Sequence, residues 1–277
     1  MPPPFIKPSP SLSKMATYLV TGSSRGLGFN IVNHLASRPA SEVETIFATS
    51  RQTISTQLQE LIDRETGRVA FVKLDAANQT SVKDALGEVE RQLQIQGQDQ
   101  EKGGKGIDVL INNAGDMPST RGGIENMDNL NETFNTNVTS AHMVTSAFLP
   151  LLRKGEKKII ANISTTVGSI ALSHKYKMSP TPAYKVTKAA LNMLTVQYAQ
   201  ELDEEGFTVL AISPGWLRTE LGGADWADLP PATGAEATMQ IIDSTTRAMN
   251  GKFLNIKVPG WEENPGVNQY DGKEVPW

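Results

Sequence analysis

The side chains best placed for chemistry are Tyr184 and Lys188, four residues apart in the run Tyr184-Lys185-Val186-Thr187-Lys188. On a helix that spacing sets a phenol and an ammonium on one face, aimed at one site. An ordinary tyrosine, with a pKa of about 10, is a poor base near neutral pH. A neighbouring cation favours the phenolate, and a downward shift of roughly three units takes about 4 kcal/mol of differential interaction. The chemistry this pair suits is movement of a proton to or from an oxygen. The same spacing is common as decoration on helix surfaces, so its meaning depends on what stands upstream.

Upstream stands a turn suited to phosphate. The apolar run Ala16–Thr21 leads into Thr21-Gly22-Ser23-Ser24-Arg25-Gly26-Leu27-Gly28 and on into a helical pattern to Leu35. Glycines allow a tight turn and close approach of backbone to a pyrophosphate, and a helix N-terminus offers it unpaired N–H groups. A second strand then ends in Thr49-Ser50-Arg51, with no acid among them. A carboxylate at that point would bond a ribose 2′-hydroxyl. The Ser50 hydroxyl and Arg51 guanidinium instead suit a 2′-phosphate, with Arg25 as a second cation. NADP(H) is therefore expected ahead of NAD(H).

The elements that must position these groups follow from the hydrophobic pattern. Ala16–Thr21, Thr45–Thr49, Val69–Leu74, Ile107–Ile111, Lys158–Ile163 and Phe207–Ile212 read as short buried strands. Between them, Leu27–Leu35, Gln57–Arg64, Val82–Ile95, Leu130–Leu152 and Ala183–Leu202 carry helical spacing. Strands this apolar are covered on both faces, which predicts an α/β fold: one Rossmann-type, doubly wound parallel sheet of about seven strands. Residues 15–277 are expected to form a single domain. Residues 1–14, rich in proline and without periodicity, are read as a flexible extension. Gln94–Gly106 is read as a surface loop, and Asp225–Thr233 as a lid or substrate loop.

Composition narrows the function. The 277 residues are 39% hydrophobic and carry a net charge of -4, which argues against a nucleic-acid-binding face. Cysteine is absent, so thiolate chemistry and disulfides are excluded, and a cytoplasmic location is expected. The three histidines, His34, His142 and His174, show no metal-ligand spacing, and no metal is expected. No run is long and apolar enough for a membrane span.

TGSSRGLG, the Asn112-Asn113-Ala114-Gly115 run after the fourth strand, and the Tyr184/Lys188 pair together resemble the short-chain dehydrogenase/reductase family across residues 16–257. The chain looks most similar to its carbonyl-reductase and C-factor-like branch. The resemblance implies a cofactor site made of Gly22, Ser24, Arg25, Gly26, Leu27, Gly28, Ser50, Arg51, Asp75 (at the adenine), Asn112, Ala114, Gly115, Tyr184 and Lys188. Pro214, Gly215, Leu217 and Thr219 would complete it, with the Leu217 backbone and Thr219 hydroxyl at the nicotinamide carboxamide. It also implies a catalytic serine three residues before Gly168. That position holds Thr165, with Ser164 beside it as the other candidate. Asn137, or Asn135 close by, matches the asparagine that holds a water in the family's proton relay.

The expected activity is hydride transfer between NADP(H) and a small carbonyl or alcohol, with Asn137, Thr165, Tyr184 and Lys188 as the catalytic set. The substrate pocket would be built from Asp116–Arg121, Ile170–Ala183 and Leu221–Ala232, with His174 and Tyr176 as possible contacts. A homodimer or homotetramer through the two long helices is implied. The rival readings are an NADP(H) sensor without turnover and a non-redox isomerase or cyclase on the same fold.

Overall fold

A computed structural model of the protein describes residues 15–97 and 105–277; the expected extension and residues 98–104 lie outside them. Seven strands form: β1 Ala16–Val20, β2 Val43–Ser50, β3 Val69–Lys73, β4 Val109–Asn112, β5 Ile159–Ile163, β6 Thr208–Ser213 and β7 Phe253–Asn255. All pair in parallel in one sheet of order β3-β2-β1-β4-β5-β6-β7. Parallel neighbours need long crossovers, and helices supply them. These are α1 Gly26–Ala36, α2 Thr56–Arg64, α3 Gln79–Gly97, α4 Leu130–Phe134, α5 Ser140–Lys154, α6 Pro182–Glu201 and α7 Pro231–Asp243. A π-turn, Asn135–Thr139, joins α4 to α5 in one continuous rod.

Successive strand residues point to opposite faces, and both faces are dry. Tyr18, Val20, Ile46, Val109, Ile111 and Ile212 pack towards α1 and α7. Their neighbours Leu19, Phe47, Leu110, Ile160 and Val209 pack towards α3 and α5. The hydrophobic pattern thus locates six strands to within about two residues.

Three expectations shift. Gln94–Gly97 belongs to α3 rather than to a loop. β7 and α7 carry weak signals: β7 has three residues, and α7 opens on Pro-Ala-Thr-Gly-Ala. Of the expected lid, Ala227 and Leu229 are buried, Leu229 bridges Leu217, and Pro231 already starts α7, its fixed φ suiting the first helical position.

The last residues run antiparallel along β7 and cover that edge. Val275 N–H donates to Phe253 O at 2.7 Å, and the Trp277 ring stacks on Phe253 with centroids 5.5 Å apart. This strap reaches the loop after β5: Ala171 N–H donates to Trp277 O at 3.0 Å, and Ser169 Oγ to Pro276 O at 2.5 Å.

Candidate active site

The motif residues gather at the carboxyl edge of the sheet, where the chain winds one way from β1 to β2 and the other way to β4. Doubly wound sheets hold ligands at that crevice. Gly22 and Gly26 have φ of 69° and 58°, a region that favours glycine. A Cβ on Gly28 would stand 2.3 Å from Gly22 O, and one on Gly22 3.0 Å from Ala114 Cα, so the turn is packed to backbone contact. Thr21 and Asn113 hold it there. The Asn113 amide donates to Thr21 O (2.8 Å) and Gly22 O (3.1 Å), and Thr21 Oγ1 accepts from the N–H groups of Asn113 and Ala114. Helix α1 has no side-chain cap and no acid in its first turn. Its leading N–H groups are left for an anion, which fits a pyrophosphate.

Around this turn, Ser50 is buried and its hydroxyl donates to Gln52 O at 3.0 Å, while Arg51 is exposed. Arg25 pairs with Glu220 instead of standing free. Both partners are largely solvated, so the pair is weak and an incoming phosphate competes with it readily. Ser24 is tied by its carbonyl, which accepts from the Ser55 hydroxyl at 2.8 Å. The Asp75 carboxylate accepts from Ala77 N–H at 3.1 Å, shaping the turn after β3. At the end of β6, Gly215 has φ of 86° and a Cβ there would lie 3.0 Å from Ile256 and Leu229. Thr219 lies against Gly26, so the loops that carry Leu217 and the glycine turn touch.

Asn112, expected in the cofactor set, also braces the scaffold. It is 4% exposed and spends its amide hydrogens on Thr145 Oγ1 (3.0 Å) and Asn162 Oδ1 (2.8 Å), its register partner on β5. Asn162 continues the chain to Thr195 Oγ1 on α6. Tying β4, β5, α5 and α6 together commits both amide hydrogens and leaves Oδ1 without a partner.

Pro182 opens α6, and the helix buries Tyr184, Lys188, Leu191, Asn192, Thr195 and Ala199 against the sheet. Polar residues occupy much of that stripe because it faces the site. Lys188 is 4% exposed; its Nζ donates to Ile163 O at 2.7 Å and lies 5.7 Å from the Tyr184 ring centroid. A Cβ on Gly168 would stand 2.6 Å from Lys188 Cβ, so glycine lets the loop after β5 close on α6. In that loop Ser164 is buried and donates to Asn192 Oδ1 at 2.6 Å, about two helical turns along α6 from Tyr184. Thr165 is partly exposed, its Oγ1 accepting only a long 3.3 Å bond from Val167 N–H, with its own proton left to give. Of the two hydroxyls, Thr165 is the one available.

Asn137 sits on the π-turn and is buried, whereas Asn135 is exposed. π-turns recur at functional sites. Asn137 Oδ1 accepts from Asp116 N–H (2.8 Å), and its Nδ2 donates to Asp116 O (2.8 Å) and Thr187 Oγ1 (3.0 Å). With both amide hydrogens committed, the side chain fixes the loop after β4. A Cβ on Gly115 would fall 3.0 Å from Asn137 Oδ1 and 3.6 Å from Lys188 Nζ, which places Gly115, Asn137 and Lys188 around one space. In the segment before α6, His174 is exposed, and Tyr176 gives its hydroxyl to Thr166 Oγ1 at 2.8 Å.

Electrostatics run opposite to the simple expectation for the tyrosine. Burial, with the Asp116 charge adding to it, pushes the Tyr184 phenol above the ordinary tyrosine range. Burial lowers the Lys188 ammonium to about 8. Lys188 addresses a carbonyl and the tyrosine ring, and desolvation outweighs its attraction for a phenolate. The residues alone therefore hold Tyr184 as a neutral proton donor. Thr21 and Asn113 lie in motifs read from the sequence and Asp116 in an expected pocket wall, but their positioning roles were not read there, and only its place between Tyr184 and Lys188 hints at Thr187. Because the Asp116 charge raises the Tyr184 pKa, Asp116→Asn is expected to lower it. The acidic limb of the kcat/KM profile for alcohol oxidation, where the phenol must lose its proton to act as base, would then move to lower pH. An unmoved limb would remove Asp116 from the site's electrostatics.

A phosphate-binding turn at the switch point of a doubly wound sheet, facing a buried tyrosine and lysine one helical turn apart, defines a dinucleotide-dependent oxidoreductase. The chain belongs to the short-chain dehydrogenase family, whose model matches residues 16–229. It is 31% identical to a short-chain dehydrogenase of Neurospora crassa over 93% of this chain and 96% of that one. It is 34% identical to the C-signal protein of Myxococcus xanthus, over 62% of this chain and 93% of that one. Among solved structures it resembles an NADPH-bound carbonyl reductase from chicken fatty liver (TM-score 0.80, 28% identity, 95% of each chain). Among the described residues no helix is long and apolar enough to cross a membrane, and no cluster of potential metal ligands occurs.

Proposed function

We propose that this protein reduces a small carbonyl compound to the alcohol with NADPH, reversibly. The observation that carries the reading is the burial of Tyr184 beside Lys188 on α6, against the end of β5. The similar chicken-liver enzyme, a carbonyl reductase with NADPH bound, supports it. The nicotinamide, when bound, supplies the hydride. Tyr184, kept neutral by burial, gives its proton to the carbonyl oxygen, and the Thr165 hydroxyl donates a hydrogen bond to the same oxygen. Lys188, beside the Tyr184 ring, would keep positive charge near that oxygen and would hold the nicotinamide ribose. Asn137 fixes the loop that closes the space. The N–H groups of the glycine turn hold the pyrophosphate, the Leu217 backbone and Thr219 the carboxamide, Asp75 the adenine, and Ala114 and Gly115 lie along the cofactor.

Arg51, with Ser50 and Arg25, would hold the 2′-phosphate. One lost charge-assisted contact to phosphate is worth about 1.5–3 kcal/mol. Arg51→Gln is therefore expected to raise KM for NADPH by roughly 10–100-fold and to leave KM for NADH nearly unchanged. Equal effects on the two cofactors would refute the assignment. A panel of aldehydes, ketones and quinones, followed by NADPH oxidation, tests the activity itself. Cofactor binding without turnover across the panel would favour a sensor, and product formed without cofactor would favour an isomerase.

A homodimer or homotetramer goes with this reading, to be read by sedimentation. Val186 and Met193, seven apart on α6, and Phe134 on α4 leave apolar surface exposed on the expected faces. The cysteine-free composition supports a cytoplasmic location.

A further inference from the structure

Beside the catalytic pair, a surface groove of about 590 Å³ runs between the loop after β4 and the segment leading into α6. Arg121, Lys177 and Lys185 line it, and no carboxylate does. In a chain of net charge -4, that is a local excess of positive charge. Arg121 and Lys177 are exposed, and neither is ion-paired with a described residue. Lys185 is half-buried; its Nζ donates to Tyr176 O at 2.7 Å, which leaves two N–H groups to give. Burial holds its pKa below the ordinary lysine value, with no acid offsetting the shift.

Two further features point the same way. Thr120 lines the groove, is 7% exposed, and its hydroxyl has no hydrogen-bond partner. A buried hydroxyl left unpaired costs stability unless something supplies a partner. Pro182, also in the wall, begins the 20-residue α6, whose N-terminal end carries partial positive charge. The walls are pinned to each other where Thr120 N–H donates to Pro180 O at 2.8 Å. Both lead to the reacting residues. Asp116, bonded to Asn137, is four residues from Thr120, and Pro180 is four from Tyr184. Each wall thus reaches the site within about 14 Å.

We propose that this groove binds the carboxylate of the substrate, so that the preferred substrates are carbonyl compounds with an acidic tail. The inference rests on the carbonyl-reductase reading above and names the substrate class for it. Arg121 and Lys177 supply the attraction at the mouth, and Lys185 and the Thr120 hydroxyl supply donors deeper in.

The test compares ω-oxo carboxylic acids of four to ten carbons with their methyl esters as substrates for NADPH oxidation. At the best chain length, kcat/KM for the acid is expected to exceed that for the ester by about tenfold, the scale of one charge-assisted contact. The advantage should shrink as salt is added. In the double variant Arg121→Gln/Lys177→Gln the acid-to-ester ratio, read within that protein, should fall to about one. Equal rates for acid and ester in the unaltered protein, or a ratio that survives in the variant, would overturn the proposal. If members of the aldehyde, ketone and quinone panel are reduced but neither of these compounds is, the proposal is overturned; if nothing at all is reduced, the carbonyl-reductase reading fails, and the groove is judged by binding instead. A ¹⁹F NMR titration with 4-(trifluoromethyl)phenylacetate and its methyl ester then decides it. Binding of the acid alone, lost in the double variant, supports an anion site; no binding, or binding of both alike, removes it.

Discussion

Tyr184→Phe is expected to lower kcat by about three orders of magnitude while NADPH still binds. General acid catalysis contributes roughly 10²–10⁴ in rate, and nothing else on α6 presents a proton donor at that position. Each factor of ten corresponds to about 1.4 kcal/mol of barrier, so the hydroxyl is asked to supply about 4 kcal/mol. The ring stays, and with it the packing beneath Lys188, so folding should be little affected. Parallel measurements of kcat and of NADPH affinity by fluorescence titration check both halves. Turnover within tenfold of the unaltered protein would sink the assignment of Tyr184.

Lys188→Met is expected to separate activity from stability. Lys188 is almost wholly buried and its pKa is lowered to about 8, against 10.5 for an ordinary lysine. Below pH 8 the ammonium is charged in both folded and unfolded chains, and burying it costs about 3 kcal/mol. Between pH 8 and 10.5 the folded chain releases its proton before the unfolded chain does. The unfolded chain then binds more protons, and stability rises with pH as the penalty fades. Methionine removes the charge but also the bond to Ile163 O, which returns about 1 kcal/mol. The variant should therefore melt several degrees higher than the unaltered protein at pH 7, with the gap closing above pH 8, and show kcat/KM reduced at least 100-fold. A lower melting temperature at pH 7 would mean that Lys188 is held there for stability. Comparing the two proteins at each pH cancels every other titrating group they share.

Much of this was legible in the sequence, and the exceptions have physical causes. Six strands stood out because a parallel sheet dry on both faces leaves near-continuous apolar runs. β7 did not, since three residues carry no pattern, and α7 was obscured by its small, proline-led start. Tyr184 and Lys188 were legible because a helix converts spacing into a shared face. Their pKa values were not, because desolvation depends on how tightly β5 and Gly168 close over α6, and no spacing records that. Ser164 and Thr165 were indistinguishable as types; the extended backbone after β5 turns one towards Asn192 and leaves the other outward. The bracing role of Asn112 was hidden for a related reason: its amide hydrogens go to Thr145 and to its register partner Asn162, contacts that spacing along the chain does not record.

The π-turn between α4 and α5 has a consequence for register. An α-helix advances about 100° per residue, and the wider turn absorbs one residue more than regular winding would. Asn137 owes its inward aim to that surplus residue. Removing a single residue from Asn135–Thr139 would let α4 and α5 fuse into a regular helix with both flanks facing as before, and the side chains of the lost turn, Asn137 among them, would be re-aimed. The rod would still be helical and still cover the sheet, yet the loop after β4 would lose its anchor. The catalytic geometry here is therefore more sensitive to an indel in this helix than to most substitutions on its surface.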